Sequence, residues 1–197
     1  MDWNVEEAIR RTGVLLEGHF LLSSGRHSGQ YMQCARLLQY PQEAEQAGRA
    51  LAGLFREERV EAVIGPALGG VIIAHETARA LGVRSLFAER KDGAMRLRRG
   101  FAIEPGERVL VAEDVVTTGG SVREVIRLVE SLGGRVVGVG SIIDRSGGAS
   151  PFAVPFRSLL RLDIESYAPE ECPLCREGIP AEKPGSREGV VNRPDRG

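Results

Sequence analysis

The apolar residues of the first third of the chain recur mostly at helical spacing. Val5, Ala8 and Ile9 fall at i, i+3 and i+4, and Gly13 closes the run, which predicts a first helix. Residues 19–22 and 31–34 flank the Ser-, Gly- and His-bearing stretch 23–29, and this predicts two short extended segments joined by a polar connection, a hairpin-like lead-in. From Pro41, Ala44, Ala47, Leu51, Leu54 and Phe55 repeat at helical spacing, so a long amphipathic helix is expected to run to Glu58.

In the centre the pattern changes. Short Val- and Ile-rich runs at 60–64, 85–88, 109–112 and 136–143 predict strands, helical patterns at 71–81 and 122–132 lie between them, and 159–164 adds a further strand. The near-continuous apolarity of these strands points to an α/β fold, a mostly parallel sheet flanked by helices. Residues 89–100 break the alternation. They hold Arg90, Lys91, Arg96, Arg98 and Arg99 with little apolar content, and read as a mobile loop. Beyond Ser166, Pro169, Pro173, Pro180, Pro184 and Pro194 predict an irregular tail.

Composition narrows the class. A chain of 197 residues supports one ordinary domain, and 42% hydrophobic with 27% charged residues is a folding composition. The 26 Lys and Arg nearly cancel the 27 Asp and Glu, so no whole-molecule basic field exists and nucleic acid is not an expected partner. The apolar runs fall far below the roughly 20 residues that span a bilayer, and the acidic start lacks the basic and apolar regions of a signal peptide. No membrane partner is expected, and three cysteines, an odd number, suit reduced thiols in a cytoplasmic protein.

In an open parallel sheet, ligands bind beyond the carboxyl ends of the strands. After the run 109–112 come Glu113 and Asp114, then Val115 and Val116, then Thr117, Thr118, Gly119, Gly120 and Ser121 at the opening of the next helix. Glycines admit a ligand close to the backbone, the hydroxyls donate, and the N–H groups of a helix start favour an anion, so a phosphate fits. The carboxylates suit sugar hydroxyls or a divalent cation held through water. Together they describe a ribose phosphate. The ordinary alternative is a strand-to-helix turn with Ser121 as N-cap and two solvated acids. Neither GxxxxGK[ST] nor GxGxxG is present.

The stretch from Val109 to Ser121 resembles the phosphoribosyl diphosphate (PRPP) motif of the type I phosphoribosyltransferases. Within that family the whole chain, including its Cys172-Pro-Leu-Cys175 tail, is most similar to members that act on orotate. The resemblance implies one phosphoribosyltransferase domain over residues 1–197, with a small hood from about residues 1–40 and a tail from about 166. It implies that Glu113 and Asp114 hold the ribose hydroxyls, that Val115 and Val116 lead into a 5-phosphate loop at Thr117, Thr118, Gly119, Gly120 and Ser121, and that Thr117 lies beside the base. Leu68, Gly69 and Gly70, after the strand at 60–64, become the pyrophosphate loop, without the lysine that many members carry there.

By the same resemblance, Arg90 and Lys91 bind PRPP from a basic lid that often reaches into a neighbouring subunit's site, and Lys91 and Asp114 are catalytic. A homodimer follows, with Mg2+ as cofactor and PRPP and orotate as substrates. This lid lacks the later lysine and histidine of many relatives, and Arg96, Arg98 or Arg99 are candidates to replace them. Arg145, after the strand at 136–143, pairs with the orotate carboxylate; an Asp144–Arg145 surface pair is the plainer reading. Ser24, Gly25, Arg26, His27 and Ser28 through Tyr31 form the hood over the base, with Ser23 where many relatives have lysine.

Cys172 and Cys175 have the spacing of half a zinc site, but no second pair or histidine completes it in the sequence, so a local turn is expected and no metal ligand is assigned, the alternative being pairs shared by two chains. His19, His27 and His75 are scattered, and no nucleophile triad is evident. Two rivals remain: a purine phosphoribosyltransferase, which needs no Arg145 for base choice, and a non-catalytic PRPP-sensing regulator acting on RNA or DNA, which needs a basic face.

Overall fold

The computed structural model describes residues 3–22, 24–148 and 150–183. Two sequence readings, Ser23 in the polar connection and Pro184 and Pro194 in the tail, therefore lie outside the described residues. The chain divides into two compact units, one comprising the residues up to Val14 with Met32–Asp163, the other Leu15–Tyr31 with the chain from Ile164.

The first unit begins with α1 (Val5–Thr12), where the Glu7 N–H donates to the Asn4 side chain and left-handed Gly13 ends the helix, as the spacing predicts. After α2 (Ala35–Leu38), α3 (Pro41–Gly53) opens with Pro41 in its first turn. It stops short of Glu58. Arg56–Glu58 form a 3-10 turn and Arg59 is left-handed at φ 47°, while Phe55 is drawn fully into the core with the Arg157 guanidinium 4.8 Å above its ring. Burial of that ring outweighs one more helical turn.

Six strands form the sheet: β3 (Ala62–Pro66), β4 (Arg84–Lys91), β5 (Ala94–Leu97), β6 (Arg108–Val116), β7 (Arg135–Asp144) and β8 (Phe156–Arg161), in the order β5-β4-β3-β6-β7-β8. All neighbours pair in parallel except β4 and β5. The helix α4 (Gly69–Leu81) links β3 to β4, and α5 (Gly120–Ser131) links β6 to β7. Alternation along the strands divides the core. Ala62, Ile64, Val109 and Val111 pack with Val122, Val125 and Val129 of α5, so Val63 and Leu110, also fully buried, face the other way.

Residues 89–100 are not a loose loop. Glu89 pairs with Arg96, Arg90 with Met95 and Lys91 with Ala94 across an antiparallel hairpin of β4 and β5. Asp92 and Gly93, at φ 52° and 80°, make its two-residue turn. An Asp-Gly pair with both residues at positive φ matches the right-handed twist of the flanking strands, which is why this basic segment folds as a hairpin.

In the second unit, β1 (Leu15–Leu21) and β2 (His27–Met32) form a two-stranded sheet. The second strand thus starts at His27, inside the stretch expected to be connection. The described part of the tail holds a 3-10 turn at Pro169–Glu171 and the short α6 (Pro173–Arg176) in otherwise irregular chain. It is nevertheless fixed by backbone bonds: His27 and Tyr167 exchange N–H···O bonds of 2.9 and 2.8 Å, Leu21 N–H donates to Glu182 at 2.8 Å, and Glu182 N–H donates to His19 at 2.7 Å. Ser28 Oγ donates to the Glu165 carbonyl at 2.8 Å, and Arg26 bonds the Ser166 carbonyl.

Candidate functional site

The crossover through α4 carries the chain from β3 to one side of the sheet, and the crossover through α5 carries it from β6 to the other. Since β3 and β6 are parallel neighbours, the connections that leave their carboxyl ends lie side by side at the point where strand order reverses. The acids expected in the second connection are in fact the last part of a strand, because β6 runs on to Val116. Glu113 is 9% exposed and accepts from Ser121 Oγ at 3.3 Å through Oε1. Its Oε2 is buried and has no hydrogen-bond partner among the described residues. Asp114 Oδ1 accepts from the Val115 N–H at 2.8 Å.

The two connections touch through glycines. A Cβ on Gly69 would stand 2.8 Å from Asp114 Oδ1, and one on Gly70 would stand 2.6 Å from Glu113 Oε2 and 2.8 Å from the Ala112 carbonyl. Only residues without side chains let the β3–α4 turn approach the acid pair so closely. Beside them Leu68 is 88% exposed, and the Ala67–Leu68 peptide is cis.

Burial governs the electrostatics. Loss of solvent, then the neighbouring Asp114 charge, pushes the Glu113 carboxyl up to about 9 against the opposing Ser121 hydrogen bond. Burial also raises Asp114, against the Val115 N–H. Cys34, whose Sγ lies 3.9 Å from the Asp114 carbonyl, is raised well above the ordinary thiol range by burial and then by both acids, which leaves it inert. Sequence reading gave no reason to place Cys34 beside the acid pair.

Thr117 and Thr118 are exposed, and Gly119, left-handed at φ 71°, precedes α5. No side chain caps this helix. Ser121 is not its N-cap but a ligand to Glu113, so the acid pair and the glycine loop are one connected structure. Arg123 Nη1 donates to the Thr118 carbonyl at 2.7 Å and braces the loop from the first turn of α5.

The basic residues are distributed more widely. Arg90 is held by Glu124 of α5 at 2.8 Å and by the Gly93 carbonyl at 2.8 Å, while Lys91 is exposed beside the hairpin turn. Arg99 and Arg98 both pair with Glu89, at 2.7 and 3.7 Å, and Arg96 is exposed. Arg145 is joined to β6 by its backbone, whose N–H donates to the Val116 carbonyl at 2.7 Å. Its neighbour Asp144 is buried and pairs with Arg161 at 2.9 Å.

One sequence reading is corrected. The Cys172 and Cys175 pair is completed by histidines: His19 of β1 and His27 of β2 stand against it, and the four potential donor atoms lie within 4.8 Å of one another. The bonds from Glu182 to His19 and from Tyr167 to His27 bring the tail to both strands, a pairing across more than a hundred residues that spacing does not reveal. His75 is exposed on α4.

A family model described as phosphoribosyl transferase domain matches residues 33–164. The chain is 60% identical to the orotate phosphoribosyltransferase of Thermotoga maritima over 93% of its own length and 98% of the relative's, and 61% identical to that of Caldanaerobacter subterraneus subsp. tengcongensis over 93% and 96%. Among solved structures, orotate phosphoribosyltransferase from Aeropyrum pernix aligns with a TM-score of 0.66 at 29% identity, covering 80% of this chain and 93% of that one. Adenine phosphoribosyltransferase from Rhodothermus marinus aligns with 0.64 at 26%, covering 80% and 99%, so the fold is shared beyond one base.

Proposed function

The chain belongs to the phosphoribosyl transferase family and, within it, to the orotate phosphoribosyltransferases, and we propose that the two adjoining connections at the β3/β6 boundary carry its reaction. The protein is a pentosyltransferase of pyrimidine nucleotide synthesis: orotate displaces pyrophosphate from PRPP to give orotidine 5-phosphate. The observation that carries the site reading is the direct approach of Gly69 and Gly70 to Asp114 and Glu113, beside an uncapped helix start.

In this reading the backbone N–H groups of Thr118, Gly119, Gly120 and Ser121, with the Thr117 hydroxyl, wrap the 5-phosphate at the N-terminus of α5. Asp114 and Glu113 accept from the ribose hydroxyls, which fixes the sugar ring. Leu68, Gly69 and Gly70 offer backbone donors to the pyrophosphate. As the bond from the ribose carbon to pyrophosphate breaks, positive charge develops on that carbon and negative charge on the leaving group, so positioning and charge stabilisation carry the catalysis. Lys91, exposed beside the hairpin turn, meets the leaving group, and Arg90 binds PRPP from the same hairpin. Arg145 pairs with the orotate carboxylate.

The Glu113 and Asp114 carboxyl oxygens are the hard donor type that suits Mg2+ and would hold it on that side of the site. When bound, Mg2+ neutralises charge on the departing pyrophosphate. No helix among the described residues is long and apolar enough to cross a membrane. A homodimer in the cytoplasm, with the lid hairpin serving the neighbouring subunit, completes the reading.

The test mixes the protein, Mg2+ and PRPP with orotate, uracil, adenine, guanine and xanthine in separate reactions and follows base consumption. Loss of orotate alone is expected. Loss of a purine with orotate untouched would overturn the assignment.

A further inference from the structure

The second unit gathers four side chains whose donor atoms suit a borderline-soft metal ion. Cys172 Sγ lies 3.4 Å from His19 Nε2. Cys175 Sγ lies 3.7 Å from His19 Nε2 and 3.3 Å from His27 Nδ1, and the two ring nitrogens are 2.8 Å apart. A tetrahedral ion with Zn–S of about 2.3 Å and Zn–N of about 2.0–2.1 Å holds its ligand atoms roughly 3.3–3.8 Å apart. Three of the sulfur–nitrogen distances already fall in that range, and closure around an ion requires the imidazoles, 2.8 Å apart, to part and the widest pair, at up to 4.8 Å, to draw in.

The outer contacts of the cluster fit the same purpose. His19 Nδ1 lies 2.6 Å from the Ile179 carbonyl, which can only accept, so the ring proton sits on Nδ1 and Nε2 turns its lone pair toward both thiols. A backbone acceptor on the far nitrogen is the usual way a metal-binding imidazole is oriented. His19 is 3% exposed and Cys172 is fully buried, whereas Cys175 is exposed, which leaves one side open for an ion to enter. The backbone holds the ligands independently of any metal, through the Glu182–His19 and Tyr167–His27 bonds and the turn of α6 between the two cysteines.

We propose that His19, His27, Cys172 and Cys175 bind one zinc ion in a closed, tetrahedral His2Cys2 site that ties the C-terminal segment to the β1–β2 hairpin. Four protein ligands leave no open coordination position, so the ion is structural. Thiolate and imidazole donors select zinc over magnesium, which separates this site from the oxygen-lined PRPP site. The inference rests only on the second unit's geometry and stands whether or not orotate is the base.

The full chain, reduced and stripped with a chelator, is titrated with Co2+ as a spectroscopic probe. Visible bands of tetrahedral cobalt with thiolate charge-transfer absorption are expected to saturate at one equivalent and to vanish on addition of Zn2+. Protein produced with zinc in the medium should carry one zinc per chain by elemental analysis. Cys175→Ser, at an exposed position, and His27→Ala should each abolish the tetrahedral bands, while His75→Ala should keep them. Wild-type protein that shows no such bands overturns the proposal. So do bands unchanged in Cys175→Ser, or freshly purified, metal-free chains that have lost two hydrogens to a Cys172–Cys175 disulfide.

Discussion

Burial and then the Asp114 charge push the Glu113 carboxyl up to about 9 from an ordinary 4.5, which favours its protonated form in the fold. The folded state therefore holds a proton that the unfolded chain releases, and the linked stability is full below about pH 4.5 and lost as pH rises toward about 9. The melting temperature of wild-type protein should fall across that window. In Glu113→Gln, which cannot ionise, the fall should be shallower; an identical slope by scanning calorimetry would assign it to another group. Asp114→Asn removes a charged acceptor for a ribose hydroxyl, a contact worth about 1.5–3 kcal/mol, so kcat/KM for PRPP should drop about 10- to 100-fold. Arg145→Ala should raise the orotate KM by about the same factor for the same reason, with the PRPP KM little changed. An unaltered orotate KM removes Arg145 from the base site. The acid pair and the hydroxyl–glycine run were legible in sequence because they are contiguous. The bond from Ser121 to Glu113 was not, since an N-cap role satisfies the same local pattern.

At the scale of elements, the β3–α4 turn depends on the absence of a side chain at Gly70. Gly70→Ala would set a methyl 2.6 Å from Glu113 Oε2 and 2.8 Å from both the Ala112 carbonyl and Pro66 Cδ. Such overpacking costs about 1–3 kcal/mol, so the urea midpoint should fall and PRPP turnover with it. Wild-type values for both would mean that the turn yields without disturbing the acids. The helices around the sheet and its parallel core were readable from periodicity because each lies within one short window of sequence. The basic segment 89–100 was not read as a hairpin, although Asp92-Gly93 carries a strong turn signal; its dense positive charge masked short strands whose charges are met by Glu89 and Glu124. The end of α3 was misplaced for a different reason. Leu54 and Phe55 continue the helical spacing, yet the core claims Phe55 by another route.

For the molecule as a whole, the proposal that the lid hairpin serves a neighbouring subunit predicts a dimer in solution. Sedimentation equilibrium of active enzyme should show twice the 21.3 kDa chain mass, and a fully active monomer would contradict the shared-site reading. Net charge gains meaning at this scale. The formal total of -1 averages over the whole chain, so near-neutrality conceals a cationic hairpin and a separate cluster of acidic side chains. By itself, the sequence determined the order of elements, the class of sheet and the contiguous phosphate motif, since each follows from residues within a few turns of one another. Only the tertiary structure decided what Glu113 does with its proton and what surrounds the Cys172–Cys175 pair. The first depends on desolvation by packed neighbours, a quantity absent from any local window. The second depends on hydrogen bonds that join strands near residues 19 and 27 to a tail near 167 and 182, bringing together four side chains that sequence distance keeps apart.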